Sequence, residues 1–317
     1  STTPDWSKKG EAAYDGFGYS VASAGDVNGD GYSDVVVGAN GNDGAYTDAG
    51  KAYVYHGSAS GLSSTPDWSY KGEAQYDYFG VSVASAGDVN GDGYTDVIVG
   101  AYRNNGDAGS DAGKAYVYHG SASGLSTTLD WSDEGEAVNN DFGWSVASAG
   151  DVNGDGYADV IVGAAATDGG VSNAGGAYVD HGSASGLSAS PDGSDQGETV
   201  ASYFGYSVAG AGDVDGDGYA DVIIGAHGYS SSTGRAYIYH SSGYVERGVF
   251  ESRTFNLADG AYDGVDWISL AWTPTKPQPA GTTVKAQVGT SSDGRSWTWH
   301  GPTGSTSSYF TNPAGQA

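Results

Sequence analysis

The sequence predicts an all-β fold, a β-propeller of four-stranded blades with four repeats visible, followed by a second, shorter β segment. Three observations carry that prediction. The run GDVNGDGYSDVVVGA at Gly25 recurs as GDVNGDGYTDVIVGA, GDVNGDGYADVIVGA and GDVDGDGYADVIIGA at Gly87, Gly150 and Gly212, spaced 62, 63 and 62 residues apart. Each unit contains several runs that alternate apolar and polar residues or are β-branched, and Gly and Asp cluster between them. No 3.6-residue periodicity lasts long enough to make a helix.

Within each unit four strands are expected in order. SVASAGDV alternates, DVVVGA is a short β-branched run, AYVYHG is aromatic and β-branched, and PDWSYKGE is a more polar candidate. A four-stranded unit alone buries too little apolar surface to stand by itself, which favours radial stacking of blades over a string of separate sandwiches. A Phe-Gly pair precedes each acidic run (Phe17-Gly18, Phe79-Gly80, Phe142-Gly143, Phe204-Gly205). Between units lies GSASGLS and then PDWS or a relative of it, with Trp6, Trp68 and Trp131 in register and Gly193 in the fourth place.

The acidic run is a candidate calcium loop. In the first copy Asp26, Asn28, Asp30 and Asp34 put side-chain oxygens at positions 1, 3, 5 and 9; Gly31 permits a bend at position 6, and the carbonyl of Tyr32 can fill position 7. Oxygen-only ligands suit a hard cation. The other loops are Asp88, Asn90, Asp92, Tyr94 and Asp96; Asp151, Asn153, Asp155, Tyr157 and Asp159; and Asp213, Asp215, Asp217, Tyr219 and Asp221. An EF-hand would place a bidentate Glu at position 12 between helices, whereas here position 12 is Val37 and the flanks read as strands, so a hairpin loop is expected. The alternative is an ion-free Asx-rich turn, which four copies retaining the acidic pattern strain. About four Ca2+ ions, one per repeat, are therefore expected, each adding roughly 1.4 kcal/mol at millimolar calcium and a dissociation constant of ~10⁻⁴ M.

Composition bounds the rest. The chain has 317 residues, 39 acidic against 12 basic, a net charge of −27 and no cysteine or methionine. Three loops hold three carboxylates and the fourth holds four, so 13 of the 39 acids sit in ion loops. The charge repels phosphate backbones and anionic membranes, which excludes a nucleic-acid partner. No disulfide or thiolate site is available. With no long apolar run a soluble segment without membrane insertion is expected, and Ser1, opening within a linker, reads as the start of a processed or excised piece.

Phe-Gly, the DxNxDGxxD loop and the Gly-Ala pairs (Gly38-Ala39, Gly100-Ala101, Gly163-Ala164, Gly225-Ala226) together resemble the FG-GAP repeats of the integrin α-subunit propeller, over residues 1–243. The resemblance implies a calcium-loaded, extracellular or cell-surface propeller used in adhesion or as a scaffold, with a protein or glycan partner. Propellers of that family commonly close with seven blades, and four repeats are visible here. Either the PDWSKKGE segment supplies the outer strand of the last blade and closes a small ring, or the chain is part of a longer propeller.

From residue 244 to 317 the calcium motif disappears and prolines cluster at Pro274, Pro277 and Pro279. Strand-like runs at 248–255, 267–272 and 283–289, with more around Trp297 and Tyr309, resemble an incomplete jelly-roll-like β-sandwich. An open edge there invites a strand from another copy, so a head-to-tail surface filament is the rival to an adhesion module.

No GxSxG, HExxH or phosphate-cradling loop is present, and no catalytic function is expected. The recurrent His56, His119, His181 and His240 read as strand-end packing residues, and Glu11, Glu73, Glu136 and Glu198 as solvated strand ends. Tyr14, Tyr46, Tyr76 and Tyr102 lie in variable loops, and the unlike stretches 40–48, 102–111, 165–173 and 227–233 are the candidate partner contacts.

Overall fold

The structure is a computed structural model that describes residues 3–44, 46–168, 171–241, 285–286, 288–290, 298–300 and 310–311. The chain divides into two compact units, Ser1–Val249 and Phe250–Ala317.

The first unit is built from four antiparallel sheets in chain order. Blade 1 comprises β1 (Phe17–Gly25), β2 (Asp34–Ala39), β3 (Lys51–Tyr55) and β4 (Trp68–Lys71). Blade 2 comprises β5 (Ser82–Gly87), β6 (Asp96–Ala101), β7 (Lys114–Tyr118) and β8 (Trp131–Glu134), and blade 3 comprises β9 (Phe142–Gly150), β10 (Asp159–Ala164), β11 (Gly176–Asp180) and β12 (Gly193–Gln196). Blade 4 has β13 (Phe204–Gly212), β14 (Asp221–Ala226) and β15 (Arg235–Tyr239). Each sheet is a simple meander; the first three have four strands and the last three. The second strand of each blade is a β-branched run covered on both faces, and in β6 and β10 every residue is buried.

Blades pack face to face through their β-branched residues. One core cluster joins blades 1 and 2 (Val36, Val54, Val83, Val99), a second joins blades 2 and 3 (Ile98, Val117, Val146, Val162), and a third joins blades 3 and 4 (Ile161, Val208, Ile224). The two pairs that mark each repeat meet across these interfaces. Gly38 lies directly against the carbonyl of Gly80, Gly100 against that of Gly143 and Gly163 against that of Gly205, and a Cβ at the first member of any pair would collide with backbone. The close approach, rather than turn geometry, accounts for glycine there.

Among the described residues the four blades form an open arc. Val21 is 65% exposed, while its repeat equivalents Val83, Val146 and Val208 are 5–8% exposed under the preceding blade. At the other end Val214 is 48% exposed where Val27 and Val89 are fully covered by the following blade, and Ile238 is 49% exposed. The N-terminal segment takes the position of a preceding blade's outer strand: Trp6 donates to the Ser63 carbonyl (3.0 Å) and packs edge-on to Tyr55 (4.9 Å), as Trp68 does with Ser126 (2.8 Å) and Tyr118 (4.8 Å). Among the described residues it makes no strand with β15, and the pairing that would close a small ring is not among the sheets they form.

In the second unit two short antiparallel pairs are described, β16 (Lys285–Ala286) with β19 (Phe310–Thr311) and β17 (Val288–Thr290) with β18 (Thr298–His300). The expected strands at 248–255 and 267–272, and with them the jelly-roll-like sandwich, lie outside the described residues. No helix among the described residues is long and apolar enough to cross a membrane.

Candidate metal centre

Each acidic loop joins the first two strands of its blade. Gly29 and Gly31 both adopt positive φ (71° and 87°), which lets the chain double back and point successive side-chain oxygens inward. Asp26 accepts from the backbone N–H of Asp30 (3.1 Å) and Gly31 (2.8 Å), Asn28 accepts from Asp30 (3.0 Å), and Asp30 accepts from Tyr32 (2.9 Å). The second loop repeats the pattern with Asp88, Asn90 and Asp92, with N–H donors at Gly91, Asp92, Gly93 and Tyr94. Asp151, Asn153 and Asp155 do so in the third.

Position 3 separates the last loop from the others. Asn28, Asn90 and Asn153 each donate their amide to the Asp at position 5 (3.0–3.1 Å), which relieves the crowding of oxygens. Asp215 has no proton to give when ionised, so Asp213, Asp215 and Asp217 bring three carboxylate oxygens within 4.8 Å of one another. Like charges at that separation repel unless a cation lies among them. The donor set is all oxygen and exposed at its head, and fits a hard divalent ion.

The Asp at position 9 has a different setting. Asp34 is fully buried and accepts from Val27 N–H (2.9 Å) on one oxygen and Gly57 N–H (2.7 Å) on the other. Asp96 accepts likewise from Val89 and Gly120 (2.8 Å each), Asp159 from Val152 (2.7 Å) and Gly182 (2.8 Å), and Asp221 from Val214 and Ser241 (2.8 Å each). Burial pushes the carboxyls of Asp96 and Asp159 up to about 6 despite those donors. This residue clips the loop to the end of the third strand.

Residues that the repeat pattern alone did not single out join neighbouring loops. Thr95, at position 8, donates its N–H to the carbonyl of Asp26 (3.1 Å), and its hydroxyl accepts from Asp26 N–H (3.2 Å). The backbone N–H groups of Ala158 and Ala220 donate to the carbonyls of Asp88 and Asp151 (3.0 Å each). The rings of Tyr94, Tyr157 and Tyr219 lie over Gly29, Gly91 and Gly154 of the preceding loop, too close for any side chain there. The four loops are thus one hydrogen-bonded chain along the arc. The fixed spacing from position 4 to position 7 was the available signal.

The recurrent histidines do not converge. His56, His119 and His181 face Asp67, Asp130 and Asp192 of their own linkers at 3.7–3.9 Å, while His240 faces Asp215 (3.4 Å) and Asp221 (3.5 Å). Three of the four glutamates are paired across blade interfaces: Glu11 with Lys51 (2.8 Å), Glu73 with Lys114 (3.5 Å) and Glu198 with Arg235 (3.2 Å). Tyr14, Tyr46 and Tyr76 are exposed. Tyr102 instead joins an aromatic row at the end of the sheets opposite the acidic loops. It meets Trp144 at 4.7 Å, Trp144 meets Tyr206 at 5.2 Å, and Tyr206 meets His227 at 4.3 Å, with Arg103 over the Tyr102 ring.

The FG-GAP repeat model matches residues 17–55, 79–118, 142–180 and 204–239. The chain is 37% identical to integrin alpha-V of Gallus gallus over 231 residues, 70% of this chain and 21% of that protein. It is 32% identical to integrin alpha-5 of Xenopus laevis over 271 residues (81% and 24%) and 37% identical to integrin alpha pat-2 of Caenorhabditis elegans over 237 (68% and 18%). The matched region thus spans about a fifth to a quarter of the length of these relatives.

Proposed function

The chain belongs to the FG-GAP repeat family, and on that premise we propose that it is a non-catalytic, calcium-binding adhesion or scaffold module of the cell surface or extracellular space. The observation that carries the proposal is the continuous chain of four oxygen-lined loops stitched across blade boundaries. An ion held by Asp88, Asn90 and Asp92, with the carbonyl of Tyr94 and the neighbouring Asp96, would fix one loop and through Ala158 brace the next. Asp26, Asn28, Asp30, Tyr32 and Asp34 would do so in blade 1; Asp151, Asn153, Asp155, Tyr157 and Asp159 in blade 3; and Asp213, Asp215, Asp217, Tyr219 and Asp221 in blade 4. Calcium would supply charge neutralisation and rigidity rather than chemistry.

The opposite end suits a partner. There the aromatic row runs from Tyr102 to His227 beside the variable loops, presenting ring faces and edges to a protein or glycan surface. Calorimetric titration with calcium tests the ion assignment. About four ions per chain and a rise in Tm are expected, and a chain that takes up none overturns it.

A second reading, self-assembly, is favoured by the edge of β15 and the apolar faces of blades 1 and 4, which among the described residues have no partner and are the two halves of an internal blade interface. Electron microscopy in calcium and after chelation separates the readings: filaments support assembly, and discrete particles support a monomeric module.

A further inference from the structure

The interface between blades 2 and 3 departs from its siblings in three places. At the first position of the third strand, Lys51, Lys114 and Arg235 lie over the rings of Tyr53, Tyr116 and Tyr237 (4.7, 5.2 and 5.6 Å) and pair with the glutamate of the preceding unit. Blade 3 has Gly176 there, so Glu136 and Tyr178 face each other without a cationic side chain. At the last position of that strand Tyr55, Tyr118 and Tyr239 are replaced by Asp180. Its neighbour on the preceding blade is Asp133, where Tyr70 packs on Tyr118 (4.9 Å) and Asp195 accepts from the Tyr239 hydroxyl (2.5 Å).

At this interface lies a cavity of about 170 Å³ lined by Asp133, Glu134, Glu136, Phe142, Tyr178, Ser190 and Pro191. No Lys or Arg of the described residues lines it. Asp180 is fully buried, and neither of its carboxylate oxygens has a hydrogen-bond partner among the described residues. Burial, then Asp133 and Asp192, push its carboxyl up to about 8, a measure of how poorly its charge is compensated. No three acidic groups of this cavity bring oxygens within 4.8 Å of one another, so the spacing does not make a cage for one bare metal ion.

We propose that this cavity is a receptor site for an organic cation, an alkylammonium or guanidinium group, held by Glu136 and Asp133 beside the ring of Tyr178. The three sibling interfaces supply the precedent from within the same chain: each already seats a Lys or Arg head between a glutamate and a tyrosine ring. The incoming ammonium substitutes for the side chain that Gly176 lacks. Its source is either a free amine or a lysine presented by another protein, and the recognising chemistry is the same.

The test is calorimetric and NMR titration of the full chain, at constant 5 mM calcium, with n-butylammonium chloride, with the neutral isostere n-butanol, and with the peptide Ac-Gly-Lys-Gly-NH2. Saturable binding of n-butylammonium but not n-butanol is expected. Glu136→Gln, at an exposed position, weakens it about fivefold to tenfold, and Gly176→Lys, which ties the site's own cation in place, abolishes it. Binding of the peptide as well as the amine identifies a protein lysine as the occupant, and binding of the amine alone identifies a free ligand. The proposal is overturned if n-butanol binds as well as the amine, if Glu136→Gln binds n-butylammonium unchanged, or if neither cation binds at all, in which case the carboxyls are discharged by protons alone.

Discussion

Replacing Asp96 by alanine separates the structural part of the acidic loop from the ion-binding part. The carboxylate is fully buried and accepts from Val89 and Gly120 at 2.8 Å each, so alanine strands two buried N–H groups. At about 1–3 kcal/mol per unsatisfied donor the loss is about 2–6 kcal/mol. Asparagine keeps one acceptor and turns an amide toward the other donor, so about half that loss is expected. Asp92 is exposed and accepts from Tyr94 N–H, a bond that the oxygen of asparagine preserves, and from the Asn90 amide, an exposed bond that water replaces. Asp92→Asn should therefore cost under about 0.5 kcal/mol in EGTA and up to roughly 1.4 kcal/mol more in millimolar calcium, the contribution of one site. Urea midpoints measured in 5 mM calcium and again in EGTA give the four numbers needed. If Asp96→Asn costs no more than Asp92→Asn in EGTA, the position-9 carboxylate is only an ion ligand and the clip assigned to it is wrong.

Two further outcomes follow from the same geometry. Asp180 keeps its proton up to about pH 8 when folded and loses it near 4 when unfolded; over that window the folded state holds the extra proton, so stability falls as pH rises from about 4 to 8. In EGTA and without amines, urea midpoints at pH 5 and 7.5 should show that fall, and Asp180→Asn should flatten it; an unchanged slope in the variant excludes Asp180 as its source. The open arc makes a paired prediction: Val83→Lys, at 6% exposure, should cost about 3–5 kcal/mol, and Val21→Lys, at the same repeat position but 65% exposed, under about 0.5 kcal/mol. Equal losses in calcium would mean that the flank of blade 1 is covered in solution.

Much of the blade was legible locally. DVVVGA and its relatives are too apolar and too short for anything but a covered strand, and they became β2, β6, β10 and β14. The weaker PDWS signal became β4 and β8, and even Gly193, in place of a tryptophan, starts β12. Blade 4 shows three strands among the described residues, because a blade's outer strand is read from the linker after its repeat and Tyr239 ends the last described sheet.

The sequence by itself determined the repeat, the strand order and the oxygen-rich loops, because turn chemistry, β-branching and Asx spacing act over fewer than about ten residues. Only the tertiary structure decided what each repeat position faces. It made Asp34 and its equivalents buried clips, placed Tyr94 over Gly29 and opened the arc at Val21 and Val214. Gly176, Asp180 and Asp133 were all visible as departures from the repeat, yet nothing in one dimension says that Asp133 shares a cavity with Glu136 and Tyr178. Blade stacking makes neighbours of residues about one repeat apart, and the energy of a missing cation or an unpaired carboxylate depends on those neighbours and their burial.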